Sequence, residues 1–155
     1  MGAVDGIGMM ICNGRRWPRA WRILGPRSME LMVLGYNTPS LKQEVCGFQA
    51  HDLRVFHPHL SIHAGCYRDA AFAGASAKAG TEDECELFGI IVNPLGEIVT
   101  QAAAWDFELI KAACELRLRT PGQTTIFARD KHRRAEAYTR ITDQAGAADP
   151  PVWRA

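Results

Sequence analysis

Cys12 and the two arginines that follow it are the residues of this chain whose types and spacing best suit covalent chemistry. Cys12 ends an apolar run that starts at Ile7, and Arg15 and Arg16 come three and four residues later. A cysteine between a strand end and a helix start lies among unpaired N–H groups, where the helix dipole and nearby cations favour the thiolate. Such N–H groups, here that of Asn13, can also bind an oxyanion.

The arginines suit a carboxylate better than a proton transfer. A guanidinium group stays protonated and binds a carboxylate through two parallel hydrogen bonds, so neither Arg15 nor Arg16 can serve as a base. The pattern therefore indicates a cysteine nucleophile beside an anion site. The alternative is that Cys12 is a buried strand residue and the arginines are solvated cations at a helix start, since a free cysteine is commonly a small core hydrophobe.

The elements around Cys12 predict a βαβ unit. Residues 7–12 form a strand pattern, residues 15–25 carry tryptophans and aliphatic residues at helical spacing, and residues 30–35 form a second apolar strand. A strand, a helix and a strand within so few residues predict a parallel pair. We expect a parallel, apolar first strand to need neighbours on both edges, and hence partners upstream of it.

The remaining chain predicts an α/β layered protein in the order β-α-β-α-β-β-β-tail. The predicted elements are an amphipathic helix over 49–67 with Leu53, Phe56, Leu60 and His63 near one face, a strand in 71–80, an acidic loop over 81–86, a hairpin in 87–103 and a strand over 108–116. Pro58 predicts a kink or a late start in that helix. From Arg117 the chain is basic, and its last ten residues, 146–155, are interpreted as a mobile tail.

The composition bounds the function classes. The chain has 155 residues, 47% of them hydrophobic, and a formal net charge of +1, which predicts one domain with a buried core. The charge gives no reason to expect nucleic acid or a membrane as a partner. There is no signal-peptide pattern and no CxxC pair among the five cysteines, so a cytoplasmic, reduced protein is expected.

Longer motifs resemble a known family. The stretch ICNGRRWPRAW followed by ELMVLGYNTPS, then HDLRVFHPHL, AGCYRDAAFAGASAKAG, NPLGEIV and FARDKHRRAEAY, resembles the nitrilase superfamily of carbon–nitrogen hydrolases. The similarity is greatest to the N-carbamoyl-D-amino-acid amidohydrolases, the D-carbamoylases. The RRWP and GYNTP elements together are specific for this family, whereas a single cysteine between a strand and a helix is not.

The resemblance implies roles for five residues and a fold. Cys12 matches the nucleophile, Arg15 and Arg16 match residues that hold the substrate carboxylate, and Asn37 and Thr38 match further substrate contacts. The implied fold is half of a four-layer α-β-β-α sandwich with the N-terminal half missing, spanning residues 1–145. The family dimerises and needs no cofactor or metal, so the expected partners are a small N-carbamoyl amino acid, a second copy of the chain or the missing half.

Two departures from the family pattern stand out. The family's catalytic glutamate and lysine precede the cysteine, yet Met1 to Ile11 contain neither residue type. Lys78 and Glu82 match other family positions. The family aspartate after Cys-Asn is Gly14 here, which removes a carboxylate that could orient the arginines. We therefore expect a truncated, inactive hydrolase; the alternative is a non-catalytic remnant or association module of the same fold.

The histidine pair, the basic run and the remaining cysteines give weaker indications of a functional site. His59 and His63 are four residues apart on the predicted helix, as in zinc sites, but no third ligand is evident and a polar helix face is the simpler interpretation. The basic run over 128–134 lacks interleaved aromatic residues and is interpreted as solvated. The other cysteines, which carry no base or cation pattern, are interpreted as packing residues: Cys46, Cys66, Cys85 and Cys114.

Overall fold

The computed structural model describes residues 4–25, 29–37, 51–78, 89–104, 106–125, 128 and 131–139, with side chains in the second helix from residue 56 onward. Its centre is one five-stranded sheet with the strand order β1-β2-β3-β4-β5. The strands are β1 Ile7–Ile11, β2 Leu31–Tyr36, β3 Phe72–Ala77, β4 Ile90–Val92 and β5 Ile98–Gln101. The helices are α1 Pro18–Leu24, α2 His51–Asp69 and α3 Thr120–Thr124, with short 3-10 segments at Cys12–Arg16, Leu116–Arg119 and Ala135–Ala137.

The predicted βαβ unit is confirmed. β1 and β2 pair in parallel with Met9 opposite Val33, and β2 pairs in parallel with β3 with Val33 opposite Gly74. α1 connects the first pair and α2 the second. Because all three strands run the same way, their carboxyl ends lie at the same end of the sheet. Among the described strands, β1 pairs with β2 alone and is an edge strand.

The predicted hairpin is also confirmed. β4 and β5 are antiparallel, and Asn93 organises the turn between them. Its side-chain oxygen accepts hydrogen bonds from the backbone N–H groups of Leu95, at 2.9 Å, and Glu97, at 3.0 Å. Gly96 has a φ of 81°, a left-handed conformation that glycine adopts without strain.

The helices cover one face of the sheet. The buried cluster joins Trp21 of α1 and Ile62 and Cys66 of α2 to every second side chain along strands β1 to β4. These strand residues are Met10, Met32, Leu34, Tyr36, Ala73, Ala75, Ile90 and Val92. The other face carries Ile7, Met9 and Ile11, which are 62%, 75% and 79% exposed. The predicted α/β layered architecture is thus confirmed, with one sheet that has a covered and an open face.

The buried face of α2 differs from the predicted one. Phe56 and Leu60, predicted on the core-facing side, are half exposed, whereas Ile62, Gly65 and Cys66 are buried. The reason is the approach of α1: a Cβ built on Gly65 would lie 2.4 Å from Cε2 of Trp21, so only the glycine side of α2 can accept the indole. Pro58 lies inside the helix and neither starts it nor ends it.

The prediction of a strand over 108–116 is wrong. Residues 106–115, all of them described, form no strand, and Leu109 is 94% exposed. The Glu108 carboxylate instead accepts hydrogen bonds from the N–H groups of Ala103 and Ala104 at 2.7 and 2.8 Å. Alternation alone does not make a strand without a neighbour to complete the hydrogen-bond ladder.

Arg119 binds this C-terminal segment to the sheet where the parallel strands begin, at the end opposite Cys12. The side chain donates hydrogen bonds to the carbonyls of Ala70 and Met29, both at 3.0 Å, and pairs with the Glu30 carboxylate. These groups precede β3 and β2, so one buried guanidinium connects the starts of two strands. The acidic loop over 81–86 and the predicted tail over 146–155 lie outside the described residues. None of the described helices is long and apolar enough to cross a membrane.

Candidate functional site

The site predicted around Cys12 lies at the edge where the parallel strands end. Cys12 follows β1, Asn37 follows β2 and Lys78 follows β3. The backbone N–H of Lys78 donates to the carbonyl of Tyr36 at 3.2 Å, which continues the strand pairing beyond β3. The structure therefore brings Cys12 and Asn37 together, as the resemblance implied. Thr38 lies outside the described residues, and its role stays a prediction.

Cys12 adopts an unusual backbone conformation. Its φ is 42°, in the left-handed region that is sparsely populated by residues other than glycine. Its Sγ donates toward the carbonyl oxygen of Asn37 at 3.5 Å. Such a conformation costs about 1 kcal/mol or more and is found where the surrounding structure enforces it, frequently at functional sites. Cys12 thus lies at the strand end that the sequence pattern predicts, and its role as the nucleophile stays a prediction.

Arg15 lies inside the protein. It is 2% exposed, its Nη1 donates to the carbonyl of Cys12, and its Cζ lies 4.9 Å from the centre of the Tyr36 ring. Burial lowers the pKa of Arg15 from its ordinary value, while the hydrogen bond to Cys12 acts in the opposite direction. Burial also raises the pKa of Tyr36 to about 12, and the charge of Arg15 opposes that rise. The guanidinium and the ring form a cation–π pair beneath the cysteine turn.

Arg16, by contrast, is exposed. The two arginines that the resemblance assigns to one carboxylate therefore lie in different environments in this structure. Their carboxylate role stays a prediction for both. Gly14, between them and Cys12, has room for a larger residue, since the nearest atom to a built Cβ is Cβ of Met10 at 3.9 Å.

Two further residues support the turn, and sequence reasoning did not assign them to the site. The indole Nε1 of Trp21 donates to the Arg15 carbonyl at 2.9 Å in a buried position. Tyr36 supplies the ring under the Arg15 guanidinium. The sequence could have indicated that Tyr36 is buried, because Met32, Leu34 and Tyr36 are every second residue of one strand and so share its core-facing side. The Trp21 contact required the packing of α1.

The weaker candidates remain apart from this site. His59 and His63 have ring centroids 6.4 Å apart, and Nδ1 of His63 lies 2.8 Å from the carbonyl of Gly96. In the described part of the chain, no group of three or more acidic, histidine or cysteine side chains gathers as a metal site would require. Burial raises the pKa of the Cys66 thiol. Cys46, Cys85 and Glu82 lie outside the described residues.

Known structures share this fold. A carbon-nitrogen hydrolase from Helicobacter pylori aligns with a TM-score of 0.75 and 17% identity over 88% of this chain and 48% of that chain. The C. elegans NitFhit protein aligns with a TM-score of 0.67 and 18% identity, over 86% of this chain and 30% of its own. A mutant of the Nesterenkonia amidase, whose active site cysteine carries the acetamide moiety of fluoroacetamide, aligns with a TM-score of 0.55 and 13% identity over 86% and 43%.

The chain thus spans about half or less of the length of these structures. A family model for carbon-nitrogen hydrolases matches residues 2–121, the N-terminal region of this chain, and so includes Cys12 and both arginines. This match does not reach the FARDKHRRAEAY segment, and it does not show that the chain is the C-terminal half of a family domain. The superfamily predicted from the motifs is confirmed: this chain belongs to the carbon–nitrogen hydrolase family.

Proposed function

We propose that this chain carries the nucleophile and the carboxylate-binding part of a hydrolase that converts N-carbamoyl-D-amino acids to D-amino acids, carbon dioxide and ammonia. The observation that carries the proposal is the conformation of Cys12, whose left-handed backbone places a half-buried thiol where the parallel strands end, with Arg16 exposed in the same turn. The RRWP and GYNTP motifs support the carbamoyl substrate. The active site cysteine of the Nesterenkonia amidase supports the nucleophile.

The reaction follows from a thiolate and a urea-like carbonyl. The Cys12 thiolate adds to the carbamoyl carbon, and the tetrahedral intermediate collapses with loss of ammonia to leave an S-carbamoyl enzyme. Water then adds to that thiocarbamate, the thiol leaves, and the released carbamic acid loses carbon dioxide to give the amino acid. The backbone N–H of Asn13 is the proposed donor to the oxyanion in both additions.

The substrate carboxylate belongs at Arg16 in this arrangement. Arg16 is exposed, whereas the guanidinium of Arg15 is buried over Tyr36. A bidentate pair with a guanidinium would hold the α-carboxylate and place the carbamoyl group at Cys12. Asn37, exposed at the end of β2, is the next proposed contact, with Thr38 beside it in sequence.

A base and a second cation must also reach the site for turnover. Each group of this kind typically contributes about 100-fold or more to the rate. Residues 1–11 contain neither glutamate nor lysine. We therefore expect this polypeptide by itself to release little ammonia from N-carbamoyl-D-amino acids. Ammonia release that disappears in Cys12→Ala would contradict that expectation.

The test of the proposal is labelling by a substrate-like electrophile. N-chloroacetyl-D-alanine carries the carboxylate and loses chloride to a thiol, and its methyl ester serves as the uncharged control. We expect Cys12 to react with the acid at least about tenfold faster than with the ester, because a carboxylate–guanidinium pair raises the local concentration of the probe. Arg16→Gln should remove the preference for the acid. Equal rates for acid and ester in the wild-type chain would overturn the carboxylate site, and faster reaction of the L enantiomer would overturn the D specificity.

A second candidate function is an association module without catalysis. It is favoured by the open face of the sheet, where Met9 is 75% and Ile11 is 79% exposed. Labelling of Cys12 no faster than that of the exposed Cys114 would favour this second function over the hydrolase.

A further inference from the structure

Arg15 and the peptide group that follows Cys12 form a unit whose geometry bears on the oxyanion. The Nη1 of Arg15 donates to the carbonyl oxygen of Cys12, three residues earlier in the chain. This carbonyl belongs to the same peptide group as the N–H of Asn13. The guanidinium therefore acts directly on the peptide whose N–H the proposed reaction needs.

The orientation of that peptide follows from its planarity. The described residues contain no cis peptide bond, and in a planar trans peptide the C=O and the N–H point to opposite sides. Arg15 is 2% exposed, so the Cys12 carbonyl that it binds points into the protein. The N–H of Asn13 therefore lies on the opposite side of this peptide, away from the Arg15 guanidinium, and Asn13 itself is exposed.

Arg15 is itself held in place. Its guanidinium lies over the ring of Tyr36 at 4.9 Å, and its own carbonyl accepts the hydrogen bond from the Trp21 indole at 2.9 Å. Both ends of the residue are thus fixed by buried aromatic side chains, Tyr36 being 5% and Trp21 0% exposed. A planar guanidinium that stacks and donates at once cannot be replaced by a point charge without loss of geometry.

We infer that Arg15 is a positioning residue: by holding the Cys12 carbonyl on the inner side of the turn, it fixes the Cys12–Asn13 peptide so that the Asn13 N–H faces the oxyanion. This inference rests on the proposed function in one respect, namely that Cys12 is the nucleophile. It separates the two arginines, with Arg15 acting through the backbone of Cys12 and Arg16 acting on the substrate carboxylate.

The experiment measures a reversible adduct that contains the oxyanion position. An aldehyde adds to the thiol, with a new S–C bond, an opened C=O and the thiol proton transferred to the oxygen. Protection of Cys12 from iodoacetamide, followed by peptide mapping, gives the dissociation constant of that adduct. Propionaldehyde is the uncharged probe and glyoxylate is the probe with a carboxylate. Iodoacetamide itself forms an S–C bond and releases iodide, without any oxyanion.

We expect Arg15→Gln to weaken protection by propionaldehyde about tenfold, because loss of one aligned oxyanion donor costs at least that factor in characterised hydrolases. The rate with iodoacetamide should change by a smaller factor. Arg117→Gln, at an exposed arginine of the 3-10 segment Leu116–Arg119, is the matched control and should change neither probe. Arg16→Gln should weaken protection by glyoxylate more than protection by propionaldehyde. Arg15→Lys retains a donor without the planar fork and should recover part of the protection.

The outcomes separate this inference from the proposed function. Unchanged protection by propionaldehyde in Arg15→Gln overturns the inference, and so does a loss confined to glyoxylate, which would make Arg15 a carboxylate ligand. A wild-type chain in which Cys12 forms no adduct overturns the nucleophile itself. If circular dichroism shows that Arg15→Gln does not fold, Arg15→Lys decides: about threefold weaker protection supports the inference, and protection equal to wild type overturns it.

Discussion

The indole of Trp21 lies against the backbone of Gly65, so close that a Cβ at position 65 would come within 2.4 Å of Cε2 and 2.5 Å of Cδ2. Trp21 is 0% exposed and joins α1 to α2, and its Nε1 also binds the Arg15 carbonyl. The contact therefore links the packing of the helices to the turn that carries Cys12.

Gly65→Ala should destabilise the protein by about 1–3 kcal/mol, because the added methyl group must displace a fully packed ring. Gly74→Ala is the matched control, since a Cβ at Gly74 meets no atom within 4 Å. Urea unfolding of both variants checks the difference. Equal stabilities would show that the two helices separate readily.

Arg119→Met should destabilise the fold by about 3 kcal/mol. The substitution leaves the Glu30 carboxylate without its buried partner and removes the donor to the carbonyls of Met29 and Ala70. Arg117→Met, in the same 3-10 segment but exposed, should change stability by less than about 0.5 kcal/mol. Denaturant midpoints measured on both variants test the contribution of the Arg119 contacts. Equal losses of stability in the two variants would contradict that contribution.

Alkaline pH should destabilise the protein through Tyr36. Its pKa in the folded state is raised from 10.0 to about 12, so the unfolded chain loses the phenol proton first as pH rises. The stability is intact below pH ~10 and falls by up to about 2 kcal/mol as pH rises toward ~12. Tyr36→Phe keeps the ring over Arg15 and should lose less stability over the same interval. Thermal melts of the wild type and of Tyr36→Phe across that pH range are the measurement. Equal losses of stability in the two proteins would contradict the titration of Tyr36.

The thiols should react with iodoacetamide in the order Cys12, then Cys114, then Cys66. Cys12 lies in a strained turn beside arginines, Cys114 is exposed, and Cys66 is 0% exposed with a raised pKa. Peptide mapping of the folded chain gives the order, with urea-unfolded chain as the control in which the differences should vanish. Labelling of Cys114 ahead of Cys12 would argue against an activated elbow.

The open face of the sheet should make the chain associate at micromolar concentrations. Ile7, Met9 and Ile11 are each more than half exposed along β1. An uncovered apolar face of even ~500 Å² forgoes roughly 12 kcal/mol at ~25 cal/mol per Å². Size-exclusion chromatography with light scattering is the measurement, and a compact monomer with a sharp melt would contradict the expectation.

A charged variant tests which face is responsible. Met9→Lys should shift the chain toward the monomer, because it places a charge between the exposed Ile7 and Ile11 on the open side of β1. Ile23→Lys is the matched control, since Ile23 is 61% exposed on α1 rather than on the sheet. An equal shift in both variants would show that general solubility, and not this face, determines association.

The local elements were determined by the sequence itself. Alternating apolar residues predicted β1 and β2, small residues predicted β3, and the NPLGE turn predicted the β4–β5 hairpin, because these signals depend on neighbours within a few residues. The placement of Cys12 at a strand end followed from the same pattern, and the family followed from the RRWP and GYNTP motifs.

Contacts between distant residues were decided only by the tertiary structure. The buried side of α2 was set by the fit of Trp21 against Gly65, although periodicity favoured Phe56 and Leu60. The segment predicted as a strand over 108–116 forms none, and none of the five described strands pairs with it. Likewise, Arg15 became internal because Tyr36, 21 positions further along, supplies a ring for its guanidinium. Sequence spacing specifies which side chains share a face, but which face is buried depends on what the rest of the chain brings against it.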